Sequence, residues 1–307
     1  MKKYTIGIDI GGTNIKLGLI KSGKVIDRKY LSTGKYLRNK NSLITALVSA
    51  VNELTGINKV NAPEIQGIGI GLPGLIDNKN GIVIFLPNIP GWHNVPLKKI
   101  MENNLKIPVF LDNDVNMIAL GEWKYGAGKG VSDMICITLG TGVGGGLILN
   151  NALYRGKGFA AGEVGHIPLN EKGQRCNCGG YGCLETYVGK NFLDAKSAKI
   201  FKRKGIDLKE VSQLAEAGNS RAKDFWTQTA VHLGNGLVGV VNLLNPQLLV
   251  LGGGVSNSYF FLKPALLKVL KTRTMKVQSR MLKVSKCKLG DDAGIIGADV
   301  LVRSELD

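Results

Sequence analysis

The chain has 307 residues, of which 44% are hydrophobic and 21% are charged, a composition typical of one large or two medium globular domains. Its net charge of +17 would favour an anionic substrate such as a nucleotide, but the basic residues are dispersed and aromatic residues make up only 6%, so no specific nucleic-acid partner is expected. The sequence contains neither a signal-peptide core nor an apolar run of about 18 residues, so we expect a cytoplasmic protein with no membrane partner.

The first half of the chain predicts alternating strands and helices, as in an α/β domain. In order, the pattern indicates a strand–glycine turn–strand unit at 4–20, a strand at about 24–31, a helix at about 41–54, an apolar strand running into a Gly-Pro loop at 65–74 and a strand at 107–111. The last of these strands ends at Asp112-Asn113-Asp114, which opens a second helix.

The second half begins with a repeat of the first pattern. Residues 133–149 again predict a strand, a glycine turn and a strand. At an offset of 129 positions the two segments share three identities, which pair Ile6 with Ile135, Ile8 with Ile137 and Gly11 with Gly140. Two such hairpins, each at the start of one half, predict a duplicated α/β domain. A third glycine motif lies at 248–256, and a helix is expected to close the chain.

Three of the five cysteines fall within a span of eight residues that begins ten positions after a histidine. The cluster consists of His166, Cys176, Cys178 and Cys183. Thiolates and an imidazole are ligands that close a tetrahedral zinc site, so we predict a structural zinc ion there. Such a site keeps no open position to activate water, which argues against a hydrolase. An oxidised loop with one disulfide and a spare thiol is the alternative interpretation.

The glycine turns suit phosphate binding, because backbone amides without a nearby Cβ can point at phosphate oxygens. Residues 140–145 satisfy the G-x-G-x-x-G pattern of dinucleotide-binding proteins, but that pattern requires a following helix. The next residues instead predict a strand, an Asn-Asn turn and another strand, which disfavours a dehydrogenase. The chain also lacks the G-x-x-x-x-G-K-[ST] sequence of a P-loop.

Five motifs together resemble the ROK family, which comprises repressors, open reading frames and kinases. They are DIGGT at 9–13, LDND at 111–114, GTGVGGG at 140–146, EVGH at 163–166 and CNCGGYGCLE at 176–185. The resemblance covers essentially the whole chain. It implies the fold of the actin, Hsp70 and sugar-kinase superfamily, in which two duplicated actin-like (RNase H-like) α/β domains have a nucleotide cleft between them. We place the first domain at 1–114, with the C-terminal helix at about 292–307 packing back on it, and the second domain, carrying the zinc loop, at 115–291.

The resemblance implies that Asp114 is the catalytic base. A sugar hydroxyl is a poor nucleophile, so phosphoryl transfer needs a base to accept its proton. The alternative role for Asp114 is to cap the helix that begins at Val115, and both roles are compatible at a strand end. Asp112 is interpreted as structural. The family's phosphate-side acid corresponds to Asp9, which we expect to bind Mg²⁺, often through water, with turn capping as the alternative.

The remaining predicted contacts divide between ATP and the sugar. The glycine turns are expected to bind the nucleotide through Gly11, Gly12, Thr13, Gly140, Thr141, Gly142, Gly253 and Gly254. The sugar positions implied by the family are Asn113, Asp114, Glu163, His166 and Glu185, with Gly74 and Asn88 as weaker candidates from nearby loops. His166 then has two roles, because one ring nitrogen binds zinc while the other forms a hydrogen bond with a sugar hydroxyl.

Among the functions of the family we expect ATP-dependent phosphorylation of the 6-hydroxyl of glucose, because PNIPGWHNVPL and CNCGGYGCLET look most like its glucokinases. An N-acetylmannosamine or N-acetylglucosamine kinase is the main alternative, followed by a fructokinase or a polyphosphate-using glucokinase. A repressor is disfavoured, because only eight residues precede Asp9 where the family's repressors carry a helix-turn-helix domain. The presence of Asp9 and Asp114 disfavours a non-catalytic sugar sensor. We expect a homodimer or homotetramer.

Overall fold

The described part of the chain, residues 3–36, 39–87 and 90–306 of a computed structural model, alternates between strands and helices, which confirms the predicted α/β class. The strands are β1 (Tyr4–Ile10), β2 (Asn14–Lys21), β3 (Lys24–Ser32), β4 (Ile65–Leu72), β5 (Leu75–Asp77), β6 (Ile82–Phe85), β7 (His93–Val95), β8 (Val109–Asn113), β9 (Met134–Leu139), β10 (Val143–Leu149), β11 (Ala152–Tyr154), β12 (Leu248–Gly252) and β13 (Lys283–Lys286). The helices are α1 (Lys40–Ile57), α2 (Leu97–Leu105), α3 (Asp114–Tyr125), α4 (Glu185–Val188), α5 (Lys190–Phe201), α6 (Leu208–Glu216), α7 (Ser220–Leu244), α8 (Tyr259–Arg273), α9 (Lys276–Met281) and α10 (Ala293–Ser304).

Two five-stranded sheets have the same topology. The first has the order β3-β2-β1-β4-β8, and the second has the order β11-β10-β9-β12-β13. In each sheet the first hairpin is antiparallel, and two further strands continue the sheet parallel to the first strand of that hairpin. This repeated order and direction confirms the predicted duplication. A third sheet, with the order β5-β6-β7, was not among the predicted elements.

Within the described residues the chain forms two compact units. The first comprises Met1–Gly130, Leu153–Ala161 and Lys288–Asp307, and the second comprises Val131–Ala152 and Gly162–Cys287. This division differs from the predicted boundary at residue 114. The reason is that α3, which the prediction assigned to the second domain, packs on α10 and β4 of the first unit.

The C-terminal helix α10 lies against the first sheet at the distance of direct backbone contact. A Cβ on Gly69 of β4 would lie 2.5 Å from the carbonyl oxygen of Ala298, and a Cβ on Gly7 of β1 would meet the carbonyl oxygen of Ile295. Only glycine permits a helix to approach a strand so closely. The helix α10 therefore belongs to the first unit although it lies at the end of the chain.

The first unit buries the alternating apolar residues of its central hairpin against α1. Ile6 and Ile8 of β1 and Leu47 of α1 are fully buried. The cap of α1 is Asn39, whose side-chain oxygen accepts a hydrogen bond from the backbone N–H of Asn41 at 2.9 Å. None of the described helices combines the length and the apolar composition needed to span a bilayer.

Candidate active site

The candidate residues of the first unit lie along one edge of its sheet. The strands β1, β4 and β8 are parallel, and their register places Asp9 beside Gly71 and Gly71 beside Asp112. Because neighbouring strands lie about 4.8 Å apart, the ends of β1 and β8 are separated by about 10 Å. Asp9 and the segment that carries Asp114 are thus brought to the carboxyl ends of strands in one sheet, where α/β proteins bind ligands.

The strand β8 passes directly into α3, with Asn113 as the helix cap. The Oδ1 atom of Asn113 accepts hydrogen bonds from the backbone N–H groups of Val115 at 2.8 Å and Asn116 at 3.4 Å. The helix cap lies one residue earlier than in the alternative prediction for Asp114, although Oδ1 of Asp114 also accepts a hydrogen bond from the backbone N–H of Val115 at 2.9 Å. Asp114 is the first residue of the helix and is partly exposed, and the helix dipole stabilises negative charge at this position.

Asp112, the neighbouring acid, is buried, and both of its carboxylate oxygens have hydrogen-bond partners. One carboxylate oxygen accepts hydrogen bonds from the backbone N–H of Asn113 at 2.7 Å and the side-chain amide of Asn116 at 2.8 Å. The other lies 2.6 Å from Nε of Arg155. This arrangement supports the structural role assigned to Asp112. Sequence reasoning missed Arg155, and nothing local in the sequence identifies it, because 43 positions separate it from its partner.

A further hydrogen bond links Asn113 to a predicted sugar loop. The Nδ2 group of Asn113 donates to the carbonyl oxygen of Gly74 at 3.2 Å. Gly74 has a φ angle of 97°, and a Cβ there would meet the carbonyl oxygen of Phe85, so the loop requires glycine. The structure therefore brings two predicted sugar positions together. Asn88, the third candidate in this region, lies outside the described residues.

Asp9 lies beside a lysine on the adjacent strand. Lys16 is its register partner on β2, and the lysine Nζ lies 3.3 Å from a carboxylate oxygen of Asp291. Burial raises the pKa of Asp9, the charge of Lys16 opposes this shift, and Asp291 adds to it. A bound cation would favour the ionised form of Asp9, so its surroundings fit the predicted Mg²⁺ role.

The glycine turn between β1 and β2 is open. The N–H of Gly11 donates to the carbonyl oxygen of Asn14 at 3.0 Å, which closes the turn. The hydroxyl of Thr33 donates to the carbonyl oxygen of Gly11 at 2.8 Å. A Cβ on Gly12 would meet nothing within 4 Å, and Thr13 is exposed. The tip of the turn therefore has room for a ligand.

Two glycine turns lie next to each other in the second unit. The neighbouring parallel strands β9 and β12 lead into Gly140-Thr141-Gly142 and Gly253-Gly254, respectively. Gly253 has a φ angle of 78°, and a Cβ there would lie 2.5 Å from the carbonyl oxygen of Leu139, the last residue of β9. The predicted phosphate turn and the predicted adenosine turn therefore share one sheet edge.

The four predicted zinc ligands converge in the second unit. The ligand atoms of His166, Cys176, Cys178 and Cys183 all lie within 4.8 Å of one another. Cys176 Sγ is 3.6 Å from His166 Nδ1, and Cys178 Sγ is 3.7 Å from Cys183 Sγ. Sulfurs of a tetrahedral zinc site lie about 3.8 Å apart, whereas a disulfide would bring them to about 2.05 Å. The separations therefore fit a zinc ion and do not fit the alternative disulfide.

The two nitrogens of His166 face different neighbours. Nδ1 faces the cysteine cluster, and Nε2 lies 3.8 Å from a carboxylate oxygen of Glu163, whose side chain is 62% exposed. The structure thus places Nδ1 on the side of the ring that faces the cysteine cluster. It also brings two predicted sugar ligands, His166 and Glu163, next to each other.

Glu185 contacts the predicted phosphate turn. Its Oε2 atom accepts a hydrogen bond from the backbone N–H of Val143 at 2.9 Å, and a Cβ on Gly142 would lie 2.6 Å from the same oxygen. Its Oε1 atom lies 3.9 Å from the sulfur of Cys176. The side chain predicted to bind sugar therefore lies between the turn and the cysteine cluster.

The whole chain, including these strand ends, glycine turns and the cysteine cluster, is similar to proteins of one known family. The sequence model that describes the ROK family matches residues 5–305 of this chain. The chain belongs to the ROK family. A glucokinase of Halalkalibacterium halodurans is 34% identical over 320 residues, a match that covers 99% of this chain and 96% of the relative. The family predicted from the motifs is therefore confirmed.

The ROK proteins that resemble this chain include both kinases and repressors. The crystal structure of a ROK family glucokinase from Streptomyces griseus in complex with glucose and AMPPNP has a TM-score of 0.82 at 33% identity, covering 98% of this chain and 99% of that one. A xylose repressor of Caldicellulosiruptor bescii is 32% identical over 315 residues, covering 98% of this chain and 78% of that protein. The predicted duplicated sugar-kinase fold is confirmed by this structural likeness.

Proposed function

We propose that this ROK protein is an ATP-dependent hexose kinase that phosphorylates the 6-hydroxyl of glucose. The observation that carries the proposal is the position of Asp114, in the first turn of α3 at the sheet edge that also carries Asp9. The glucokinase relative and the glucokinase structure holding glucose and AMPPNP support the same activity.

Asp114 acts as the general base. As the sugar oxygen bonds to the γ-phosphorus of ATP, the hydroxyl proton passes to the Asp114 carboxylate. The bond from the γ-phosphorus to the bridging oxygen breaks, and ADP leaves with that electron pair. Asn113 holds the start of α3 and the Gly74 loop, so it positions the base.

Asp9 and the glycine turns serve the nucleotide. Asp9 would hold Mg²⁺, directly or through water, and a bound ion would neutralise negative charge on the phosphate oxygens. In each unit a glycine turn, at 11–13 in the first and at 140–142 in the second, would offer backbone amides to phosphate oxygens. The turn at 253–254 adjoins the second of these turns and is assigned to the adenosine.

The cysteine cluster and His166 would hold a structural zinc ion, which would orient a sugar ligand. Histidines bound to a metal commonly use their second ring nitrogen in a hydrogen bond that fixes the ring. With Nδ1 on zinc, Nε2 is left beside Glu163 and is available to a sugar hydroxyl. Zinc then supplies orientation and takes no part in phosphoryl transfer.

A direct assay of sugar phosphate formation with a panel of acceptors and donors tests this function, because transfer from polyphosphate releases no ADP. The acceptors are glucose, N-acetylmannosamine, N-acetylglucosamine and fructose, and the donors are ATP and polyphosphate. We expect glucose with ATP to give the highest kcat/KM. A higher kcat/KM for another sugar would make that sugar the preferred substrate and would leave the assignment as a sugar kinase unchanged. Turnover with none of the acceptors would contradict the kinase.

A sugar-responsive regulator is the second candidate, favoured by the likeness to a xylose repressor. Filter binding of duplex DNA across a salt series separates the two functions. We expect only weak, non-specific binding, because the 40 basic residues are dispersed along the chain, whereas a nucleic-acid-binding protein should reach micromolar affinity or better with a steep salt dependence. Sequence-selective binding at physiological salt would favour the regulator.

A further inference from the structure

We propose that Glu185 positions the phosphate turn at 140–142 and transmits the state of the metal cluster to nucleotide binding. Because this turn is assigned to ATP by the proposed kinase function, the role rests on that function. It differs from the sugar contact that the family resemblance implies for Glu185, since the hydrogen bond in the structure goes to the turn.

The first step is the contact between Glu185 and the turn. The N–H of Val143 belongs to a buried residue at the start of β10, and Glu185 Oε2 accepts from it at 2.9 Å. A buried backbone N–H needs a partner, and a charged acceptor gives a strong hydrogen bond. Gly142 leaves the space for this carboxylate, because a Cβ there would lie 2.6 Å from Oε2.

The junction between α4 and α5 holds the turn from the same side. The N–H of Lys190 donates to the carbonyl oxygen of Gly140 at 2.8 Å. A Cβ on Gly189 would lie 3.5 Å from the carbonyl oxygen of Thr141, so the junction is in close contact with the middle of the turn. The backbone of the turn is thus fixed by elements that follow the cysteine cluster along the chain.

The second step is the link from the cluster to Glu185. Cys183 precedes Glu185 by two residues. Its carbonyl oxygen accepts hydrogen bonds from the backbone N–H of Thr186 at 2.9 Å and from the hydroxyl of Thr186 at 2.8 Å. Since these bonds join the last cysteine to the first turn of α4, a shift of Cys183 on metal loss displaces Glu185 as well.

Equilibrium binding of AMPPNP without sugar tests the positioning role in the zinc-loaded protein. Glu185→Ala should bind AMPPNP roughly tenfold more weakly than the wild type, an effect typical of losing one charge-assisted hydrogen bond. Glu185→Gln should bind within about twofold of the wild type, because its amide oxygen still accepts from Val143. Glu216→Ala is the matched control, since Glu216 is an exposed carboxylate at the end of α6 outside the assigned ATP and sugar positions, and it should also bind AMPPNP like the wild type.

The proposed link between the metal cluster and nucleotide binding is tested by repeating the AMPPNP titration after the zinc is removed. The wild type should lose roughly tenfold in AMPPNP affinity, whereas Glu185→Ala should lose little more. A wild type that binds equally with and without zinc would overturn the transmission. Glu185→Ala that binds like the wild type would overturn the positioning role while leaving the kinase intact. A zinc-loaded wild type that binds no nucleotide would overturn the kinase function and this role together.

Discussion

The glycine-turn hairpins of the two sheets differ in what surrounds the turn. In the first hairpin Asp9 stands near the strand end, and a Cβ on Gly12 would meet nothing within 4 Å. In the second hairpin Thr138 takes the place of Asp9, and the carboxylate of Glu185 fills the space beside Gly142. One copy offers an acid and an open turn, and the other offers a turn held by a side chain from outside its sheet.

The difference shows that the residue allowed in such a turn depends on its neighbours. At the offset of 129 positions, Thr13 aligns with Gly142. Thr13 is exposed and its side chain has room, whereas a side chain at position 142 would displace the carboxylate of Glu185. Under the proposed function, the first hairpin would hold a cation and the second would present backbone amides to phosphate.

The largest effect should come from Asp114→Asn in the first unit. The shape of the side chain is kept while the proton acceptor is lost, so kcat should fall by about three orders of magnitude with little change in glucose or nucleotide affinity. Steady-state kinetics and calorimetric binding measure this. Asp112→Asn is the control, and its main effect should be lower thermal stability, because Arg155 loses its charged partner. Near-normal turnover in Asp114→Asn would remove Asp114 as the base.

Asp9→Asn should lower kcat by about a hundredfold and shift the Mg²⁺ dependence to higher concentration, because a ligand of the cation is weakened. Its thermal stability should not fall. Burial raises the folded-state pKa of Asp9, so ionised Asp9 disfavours folding; this cost is full above the folded-state pKa and is lost as the pH falls from there to the unfolded-state pKa. The corresponding change in the second unit, Thr138→Ala, should leave the Mg²⁺ titration unchanged. A matching shift in that variant would erase the distinction between the hairpins.

Metal analysis of the purified wild type should give about one zinc per chain. Cys178→Ala should lower the zinc content and the thermal stability and should raise the KM for glucose by roughly tenfold, because His166 loses its anchor. Cys287→Ala removes a thiol outside the cluster and should retain zinc. A zinc-free wild type with normal glucose affinity would contradict the role given to the cluster.

The smallest effects should separate the two turns directly. Gly142→Ala should displace Glu185 and weaken AMPPNP binding by roughly fivefold, since the added Cβ competes for the position of its carboxylate. Thr13→Ala should change stability by less than about 0.5 kcal/mol, because the removed atoms are exposed. Thermal melts and AMPPNP titrations of both variants test the difference between the two turns. Equal changes in melting temperature and AMPPNP affinity in the two variants would argue against that difference.

Local sequence signals were sufficient for the hairpins, the helix after β8 and the cysteine cluster. Glycines between alternating apolar residues predict a hairpin, and the spacing of His166 and Cys176 to Cys183 predicts a metal site. The fold class and the duplication followed from these segments. The short strands β5 to β7 were missed, because three or four residues are too few to establish an alternating pattern.

Contacts between distant positions could not be read from the sequence. The pairs Arg155–Asp112 and Glu185–Val143 join residues 43 and 42 positions apart. Periodicity reports which face of an element is buried and does not report which residue of another element meets it. The predicted boundary at residue 114 differs from the division into units for the same reason, since the packing of α3 on α10 groups that helix with the first unit.

Phosphorus NMR of the purified protein with glucose, ATP and Mg²⁺ tests the central proposal most directly. We predict that ATP is converted to ADP while glucose 6-phosphate appears in equal amount, and that Asp114→Asn leaves the ATP signals unchanged over the same period. Unchanged ATP signals with the wild type, or release of inorganic phosphate without a sugar phosphate, would contradict a hexose kinase with Asp114 as its base.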